Sequence, residues 1–150
     1  MARYFLDSSA LVKRYHHESG SANVDAVFNA AGNRFFVSRL ALVEAQSAFA
    51  RLVREGIVTP DDFHRLVSRL KADVGAKILM VAAVTSRRLD EAAAIFATHG
   101  LTNNVRTLDA IHLATAQVLH ARNPLAAFVG ADKKLLAVAV VCGLNVLDVS

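Results

Sequence analysis

Short apolar runs alternate along the chain with longer segments whose apolar residues recur at helical spacing. The runs predict strands at residues 3–7, 34–38, 78–84, 126–130 and 145–149. Several are continuously apolar, which is typical of strands that are covered on both faces. Alternating strands and helices favour a parallel sheet between layers of helices. The pattern therefore predicts an α/β fold, three-layer α/β/α with a central mostly parallel sheet, in a single domain over residues 1–150.

The helices are predicted from the same spacing and from the residues that begin or end them. The clearest start is Thr59-Pro60-Asp61-Asp62, where Thr caps the helix, Pro fits its first turn and the acids face the positive end of the dipole. Glycines end several of the others. The predicted helices cover about residues 8–17, 21–31, 40–55, 60–72, 85–99, 108–122 and 132–142.

The composition narrows the class of protein. Hydrophobic residues make up 54% of the 150, yet the longest apolar runs, Ile78–Val84 and Leu135–Cys142, are far shorter than the roughly 20 residues that cross a bilayer. Asp7 interrupts the N-terminal apolar run too early for a signal peptide. The lone cysteine, Cys142, allows no internal disulfide. We therefore expect a cytoplasmic protein with no membrane partner.

The net charge is +4, and this excess moderately favours a polyanionic partner. The basic residues form only small clusters, each of which could equally be a solvated helix face. The high apolar content of so small a chain also suggests a buried interface between copies. Composition alone therefore leaves the partner open.

Three acidic residues lie where strands end or helices begin. Asp7 ends the first strand, Asp132 follows the strand at 126–130, and Asp109 lies in the first turn of the apolar helix TLDAIHLATA. Each could be an ordinary helix cap or first-turn acid. Ligands of parallel α/β sheets, however, bind outside the carboxyl ends of the strands. Both interpretations stay open for each residue taken alone.

Glu44 is harder to explain because its segment, LALVEAQSAFA, is apolar on nearly every face. Such a helix is expected to be buried, and a buried carboxylate costs several kcal/mol unless it is paired or binds a metal. Arg39 or Arg51 could be its partner. A single metal site would instead explain all four acids together, and carboxylates with few histidines suit Mg²⁺ or Mn²⁺ better than zinc.

Four segments, FLDSSALVK, SRLALVEAQSAF, RTLDAIHLATA and FVGADKKLLAVA, resemble in this order the PIN-domain ribonucleases, above all the VapC-type toxins of bacterial toxin–antitoxin pairs. The resemblance covers Tyr4 to Val149. It implies an endoribonuclease in which four acids bind Mg²⁺, with Mn²⁺ as a possible substitute, and in which the hydroxyl of Ser9 helps to organise the acidic centre. It also implies an RNA substrate, an antitoxin protein and a homodimer. The implied metal ligands are Asp7, Glu44, Asp109 and Asp132.

The sequence departs from the family pattern around the fourth acid. Gly130 stands where a Ser or Thr is common, and Lys133 and Lys134 follow where a further acid is common. The alternative is a non-catalytic PIN-like module that binds RNA or protein through a degenerate acidic centre. Six basic residues near the motifs are candidates for phosphate contacts: Lys13, Arg14, Arg39, Arg106, Lys133 and Lys134.

A second metal chemistry is conceivable at Asp109 and His112, which form the spacing D-x-x-H on one helix face. Carboxylate di-iron bundles need a matching motif on another helix, and the chain has none. The sequence therefore favours a packed helix residue at His112. Motifs of hydrolase triads, P-loop NTPases and dinucleotide-binding folds are also absent.

Overall fold

The computed structural model describes all 150 residues. Its five strands form one sheet, in which every pair of neighbouring strands is parallel, in the order β3-β2-β1-β4-β5. The strands are β1 (Arg3–Leu6), β2 (Arg34–Ser38), β3 (Leu79–Ala82), β4 (Ala127–Gly130) and β5 (Val146–Asp148). The helices are α1 (Ser8–Tyr15), α2 (Ser21–Asn29), α3 (Arg39–Arg54), α4 (Pro60–Gly75), α5 (Ser86–Ile95), α6 (Thr107–Arg122) and α7 (Lys133–Val141).

Side chains on the strands point alternately into two separate cores. Phe5 of β1 packs with α5, α6 and α7, whereas its neighbour Leu6 packs with α1 to α4. In β4, Phe128 and Val129 divide in the same way. Helices thus cover both faces, which explains why the strands read as continuous apolar runs. The three-layer α/β/α fold with a parallel sheet is confirmed.

The strand order creates a crevice at the carboxyl ends of β1 and β4. From β1 the chain progresses outward to β2 and β3, then crosses back to β4 on the other side of β1 and continues to β5. Neighbouring strands whose connections lead in opposite directions form the switch point where such sheets bind ligands. Asp7 N donates to Val129 O at 3.1 Å, which fixes the start of the α1 segment beside β4.

Helix α3 differs from the expectation of a buried helix. Its buried stripe consists of Ala41, Ala45, Phe49 and Leu52, and the opposite side is solvated, with Val43 64% exposed. Residues three or four apart lie on one face of a helix, so these four residues form the contact surface and Val43 lies on the opposite face. Glu44 is consequently half-buried, and the inference that it lies in an all-apolar interior was wrong.

Two other elements are shorter than predicted. Strand β3 ends at Ala82, and helix α5 ends at Ile95, where a π-helical turn at Phe96–Gly100 continues the chain. No helix combines the length and the apolar character of a candidate membrane span.

Candidate metal centre

One cavity of about 360 Å³ at the switch point is lined by all four acids singled out in the sequence. Asp7 reaches it from the end of β1, Glu44 from α3, Asp109 from the first turn of α6, and Asp132 from the residue before α7. Ser9 and Arg106 also line it. As the side chains stand, no three of the protein's histidine, cysteine or acidic side chains converge closely enough to hold a metal ion.

Asp7 is the most buried of the four, with 3% of its surface exposed. Its Oδ1 accepts hydrogen bonds from Ser9 Oγ at 2.6 Å and from Ala10 N at 2.9 Å, so Asp7 also caps α1. Burial raises the pKa of the Asp7 carboxyl, an effect that these two hydrogen bonds oppose. Oδ2 makes no hydrogen bond. The cap and the site are therefore the same residue, and the two interpretations of Asp7 are compatible.

Ser9 connects Asp7 to the loop after β4. Its hydroxyl donates to Asp7 and accepts a hydrogen bond from Ala131 N at 3.0 Å. A side chain that donates to one group and accepts from another fixes both. This geometry agrees with the organising role that the family resemblance implies for Ser9.

Gly130 lies directly against the free oxygen of Asp7. A Cβ at this position would lie 2.9 Å from Asp7 Oδ2 and 3.2 Å from its Cγ, closer than ordinary van der Waals contact. Asp7 cannot easily move away, because Ser9 and Ala10 hold its other oxygen. The structure thus gives a steric reason for the glycine at the position where the family pattern often has a hydroxyl.

Glu44 is held by a serine and a histidine and not by an arginine. Its Oε2 accepts from Ser8 Oγ at 3.1 Å, and its Oε1 lies 2.5 Å from Nε2 of His112. Of the two arginines suggested as partners, Arg51 pairs with Glu55 at 3.8 Å and Arg39 makes no ion pair. Both suggestions were therefore wrong, because α3 directs these arginines to solvent.

His112, which the sequence favoured only as a packed helix residue, also belongs to the site. It is 1% exposed and packs against Phe5, with ring centroids 6.4 Å apart. Ser38 Oγ accepts from Ala41 N and lies 2.9 Å from Nδ1 of His112. Every one of these polar groups has a hydrogen-bond partner when the Ser38 hydroxyl donates to Nδ1 of His112 and Nε2 of His112 donates to Glu44. His112 is thus packed, as the sequence favoured, but it also orients Glu44, and both ring nitrogens are engaged within the protein.

Asp109 and Asp132 lie at the rim and share one cation, Arg106. Arg106 Nε donates to Asp109 Oδ2 at 3.3 Å, and Arg106 Nη2 donates to Asp132 Oδ2 at 3.2 Å. The other oxygen of Asp132 caps α7 by accepting from Lys134 N and Leu135 N. Asp132 therefore acts as a cap and as a wall of the cavity. Asp109 Oδ1 makes no hydrogen bond.

Two of the candidate phosphate contacts are engaged elsewhere. Lys13 is 8% exposed and donates to Glu18 at 3.1 Å and to Ser19 O at 2.5 Å. Arg14 pairs with Asp25 at 3.1 Å and lies over the ring of Phe28. These contacts tie α1 to α2 and give both cations a structural role, and phosphate contact by either remains a prediction. Arg39, Lys133 and Lys134 are exposed.

The donor set fits a hard divalent cation. Every acidic side chain of the cavity offers oxygen, and Asp7 Oδ2 and Asp109 Oδ1 are not committed to hydrogen bonds within the protein. Mg²⁺ and Mn²⁺ prefer such carboxylate oxygens together with water. The Asp109 and Asp132 oxygens that contact Arg106 become ligands only when that side chain moves.

The family model described as PIN domain matches residues 4–141. This chain belongs to the PIN domain family. No curated protein sequence matches it.

Solved structures with the same fold cover nearly the whole PIN domain. PAE2754 from Pyrobaculum aerophilum has a TM-score of 0.63 at 20% identity, covering 99% of this chain and 90% of that one. The sarcin-ricin loop cleaving toxin VapC20 of Mycobacterium tuberculosis has a TM-score of 0.67 at 16% identity, with coverages of 89% and 93%. FitAcB from Neisseria gonorrhoeae has a TM-score of 0.61 at 15% identity, with coverages of 97% and 97%. At these identities the likeness establishes the fold.

Replacing Gly130 by Ser tests the steric constraint on Asp7. We expect Gly130→Ser to lower the free energy of unfolding by about 1–3 kcal/mol, because the new side chain overpacks a well-filled site. Urea unfolding in the presence of a chelator measures this loss. Gly75→Ser is the matched control, since no atom lies within 4 Å of a Cβ at Gly75. Equal stability of Gly130→Ser and wild type would contradict the proposed contact.

The burial of Asp7 predicts a pH-dependent effect of Asp7→Asn. Because the folded state raises the pKa of Asp7, it favours the protonated acid, and stability is lost as pH rises through the folded-state pKa. In chelator at pH 8, Asp7→Asn should therefore raise Tm by about 2 °C or more, the effect of about 1 kcal/mol in such a chain. This gain in Tm should become smaller as the pH is lowered toward the ordinary Asp pKa of about 3.9.

Thermal unfolding monitored by circular dichroism across this pH range measures the effect. Asp90→Asn serves as the control, because Asp90 is an exposed acid of α5 without an ion pair. A lower Tm for Asp7→Asn at pH 8, or a gain that does not change with pH, would show that Asp7 is not a destabilised buried carboxylate.

Proposed function

We propose that this PIN domain is a Mg²⁺-dependent endoribonuclease and the toxin of a type II toxin–antitoxin pair. The observation that carries the proposal is the single cavity at the sheet's switch point lined by Asp7, Glu44, Asp109 and Asp132. Family membership makes a nuclease the expected class of protein. The fold that the chain shares with a sarcin-ricin loop cleaving toxin further supports the assignment.

The four acids would hold the metal, and hydrogen bonds within the protein already orient two of them. Asp7 is fixed by Ser9 and Ala10, and Glu44 by His112 and Ser8. When bound, the divalent cation supplies activation of the attacking water and neutralisation of charge on the phosphate. A free carboxylate oxygen such as Asp109 Oδ1 can accept the proton of that water. Fixed side chains avoid reorganisation during the reaction, which favours the transition state.

A second cavity, of about 580 Å³, offers a path for the RNA strand. It shares Ser8, Ser9, Glu44 and Leu108 with the acidic cavity and extends along α3. Its lining includes Arg51 and Arg54, both exposed cations. Phosphates of a strand in this groove would meet positive charge as they approach the carboxylates. These two arginines lie outside the four motifs, so sequence reasoning did not propose them as phosphate contacts.

The remaining partners follow from the toxin assignment. We propose an antitoxin protein that binds the domain, a homodimer as the assembled toxin, a cytoplasmic location and Mn²⁺ as a possible substitute for Mg²⁺. The net charge of +4 suits an RNA substrate.

One observation favours the alternative of a non-catalytic module. Arg106 forms ion pairs with Asp109 and Asp132, two of the four acids that would hold the metal.

Cleavage of RNA by wild type and Asp7→Asn separates these two functions. With Mg²⁺, wild type should cleave RNA, and Asp7→Asn should be at least about 100-fold slower, the usual contribution of a positioned catalytic group. Asp90→Asn is the control and should cleave at the wild-type rate. Gel analysis of RNA fragments, with and without a chelator, measures the rates. Equal rates for Asp7→Asn and wild type would refute the nuclease proposal.

The groove along α3 predicts an effect on RNA binding. Replacing Arg51 and Arg54 together by Gln should raise KM for RNA, leave kcat nearly unchanged, and reduce the slope of log affinity against log salt by about 1.4–1.8 for two phosphate contacts. Arg87→Gln is the matched control, because its side chain is 84% exposed and lies on α5. An unchanged KM and salt slope in the double variant would place the RNA elsewhere.

A further inference from the structure

Arg106 is the only lysine or arginine whose side chain contacts the acids of the cavity. It precedes α6, and its guanidinium bridges Asp109, three residues later, and Asp132, which precedes α7. The two contacts, at 3.3 and 3.2 Å, use different nitrogens of the same planar group. A fork of this kind can pair with two carboxylates at once, which a lysine ammonium does less well.

The four acids are therefore stabilised in two different ways. Asp7 and Glu44 accept hydrogen bonds from serine hydroxyls, a backbone amide and His112. Asp109 and Asp132 instead depend on the charge of Arg106, whose pKa these two acids raise. A full positive charge thus lies at the rim, next to the carboxylate oxygens that a divalent cation would use.

The contacts of Arg106 are suited to exchange. Its side chain is 71% exposed, and exposed ion pairs each contribute only about 0–1 kcal/mol. Arg106 N also donates to Asp109 Oδ2, at 3.4 Å, so the backbone keeps one contact with Asp109 after the guanidinium leaves. The side chain can therefore move out into solvent while the start of α6 stays in place.

We propose that Arg106 is an internal counter-cation of the acidic centre, which neutralises Asp109 and Asp132 in the metal-free protein and which a divalent cation must displace from them. This inference rests on the proposed function, because it takes the cavity to be a metal site. In this role Arg106 competes with the metal ion for the two carboxylates. The competition sets the metal concentration at which the centre becomes occupied. An arginine that only organised the two acids would have the opposite effect on metal binding.

Mn²⁺ binding by isothermal titration calorimetry distinguishes these two roles. Arg106→Gln removes the competing charge, so we expect it to bind Mn²⁺ more tightly than wild type, by up to about 30-fold for the loss of two exposed ion pairs. Lys133→Gln is the charge-matched control, because it removes a cation next to Asp132 that makes no ion pair with the acids of the cavity. It should change the affinity by less than about twofold.

The signal of the Arg106 Nε–H group in ¹⁵N NMR spectra gives a second readout, since its hydrogen bond to Asp109 should be lost as Mg²⁺ binds. The Arg87 signal should not move. Two results would overturn the counter-cation proposal while leaving the nuclease proposal intact. One is Mn²⁺ binding by Arg106→Gln that is equal to or weaker than that of wild type, and the other is an Arg106 signal that does not move at saturating Mg²⁺. If neither wild type nor the variant binds Mn²⁺, both proposals fail.

Discussion

The burial of the Asp7 carboxylate at the end of β1 is the constraint on which the site depends. Its exposed fraction is 3%, and its hydrogen-bond donors are neutral. Removing a carboxylate from water is costly without a compensating cation. The surroundings reduce this cost with a serine hydroxyl and a helix N-terminus on one oxygen, and they leave the other oxygen free beside Gly130. Stability of the fold thus favours a fully hydrogen-bonded Asp7, whereas a metal centre needs an Asp7 oxygen without a partner in the protein.

The acidic centre combines a fixed half with an adjustable half. Glu44 is oriented through His112 and Ser38, a network whose histidine is almost fully buried. Buried and satisfied polar networks of this kind hold side chains in one geometry. Asp109 and Asp132 lie at the solvated rim, where Arg106 balances their charge through exposed contacts. The centre can therefore keep its inner geometry while the charge balance at its rim changes.

The fold could be predicted from the sequence because its signals are local. Apolar runs and helix caps mark the elements, and the strand-end rule places Asp7 and Asp132 at one edge. The partner of Glu44 could not be predicted in this way, since His112 is 68 residues distant along the chain and meets it only through packing. The apolar residues around Glu44 were misleading for a physical reason. Only one face of α3 is buried, and it carries Ala41, Ala45, Phe49 and Leu52, whereas Val43 lies on the solvated face.

The unusual glycine near the fourth acid is better explained by the first acid than by a loss of function. Parallel pairing of β1 with β4 sets Leu6 opposite Val129, and this register brings the next residues, Asp7 and Gly130, together. A hydroxyl at Gly130 would need space that Asp7 Oδ2 occupies. Ser9 already provides a hydroxyl that links Asp7 to the loop after β4. The departure from the family pattern is therefore compatible with an intact acidic centre, and it weakens the case for a degenerate one.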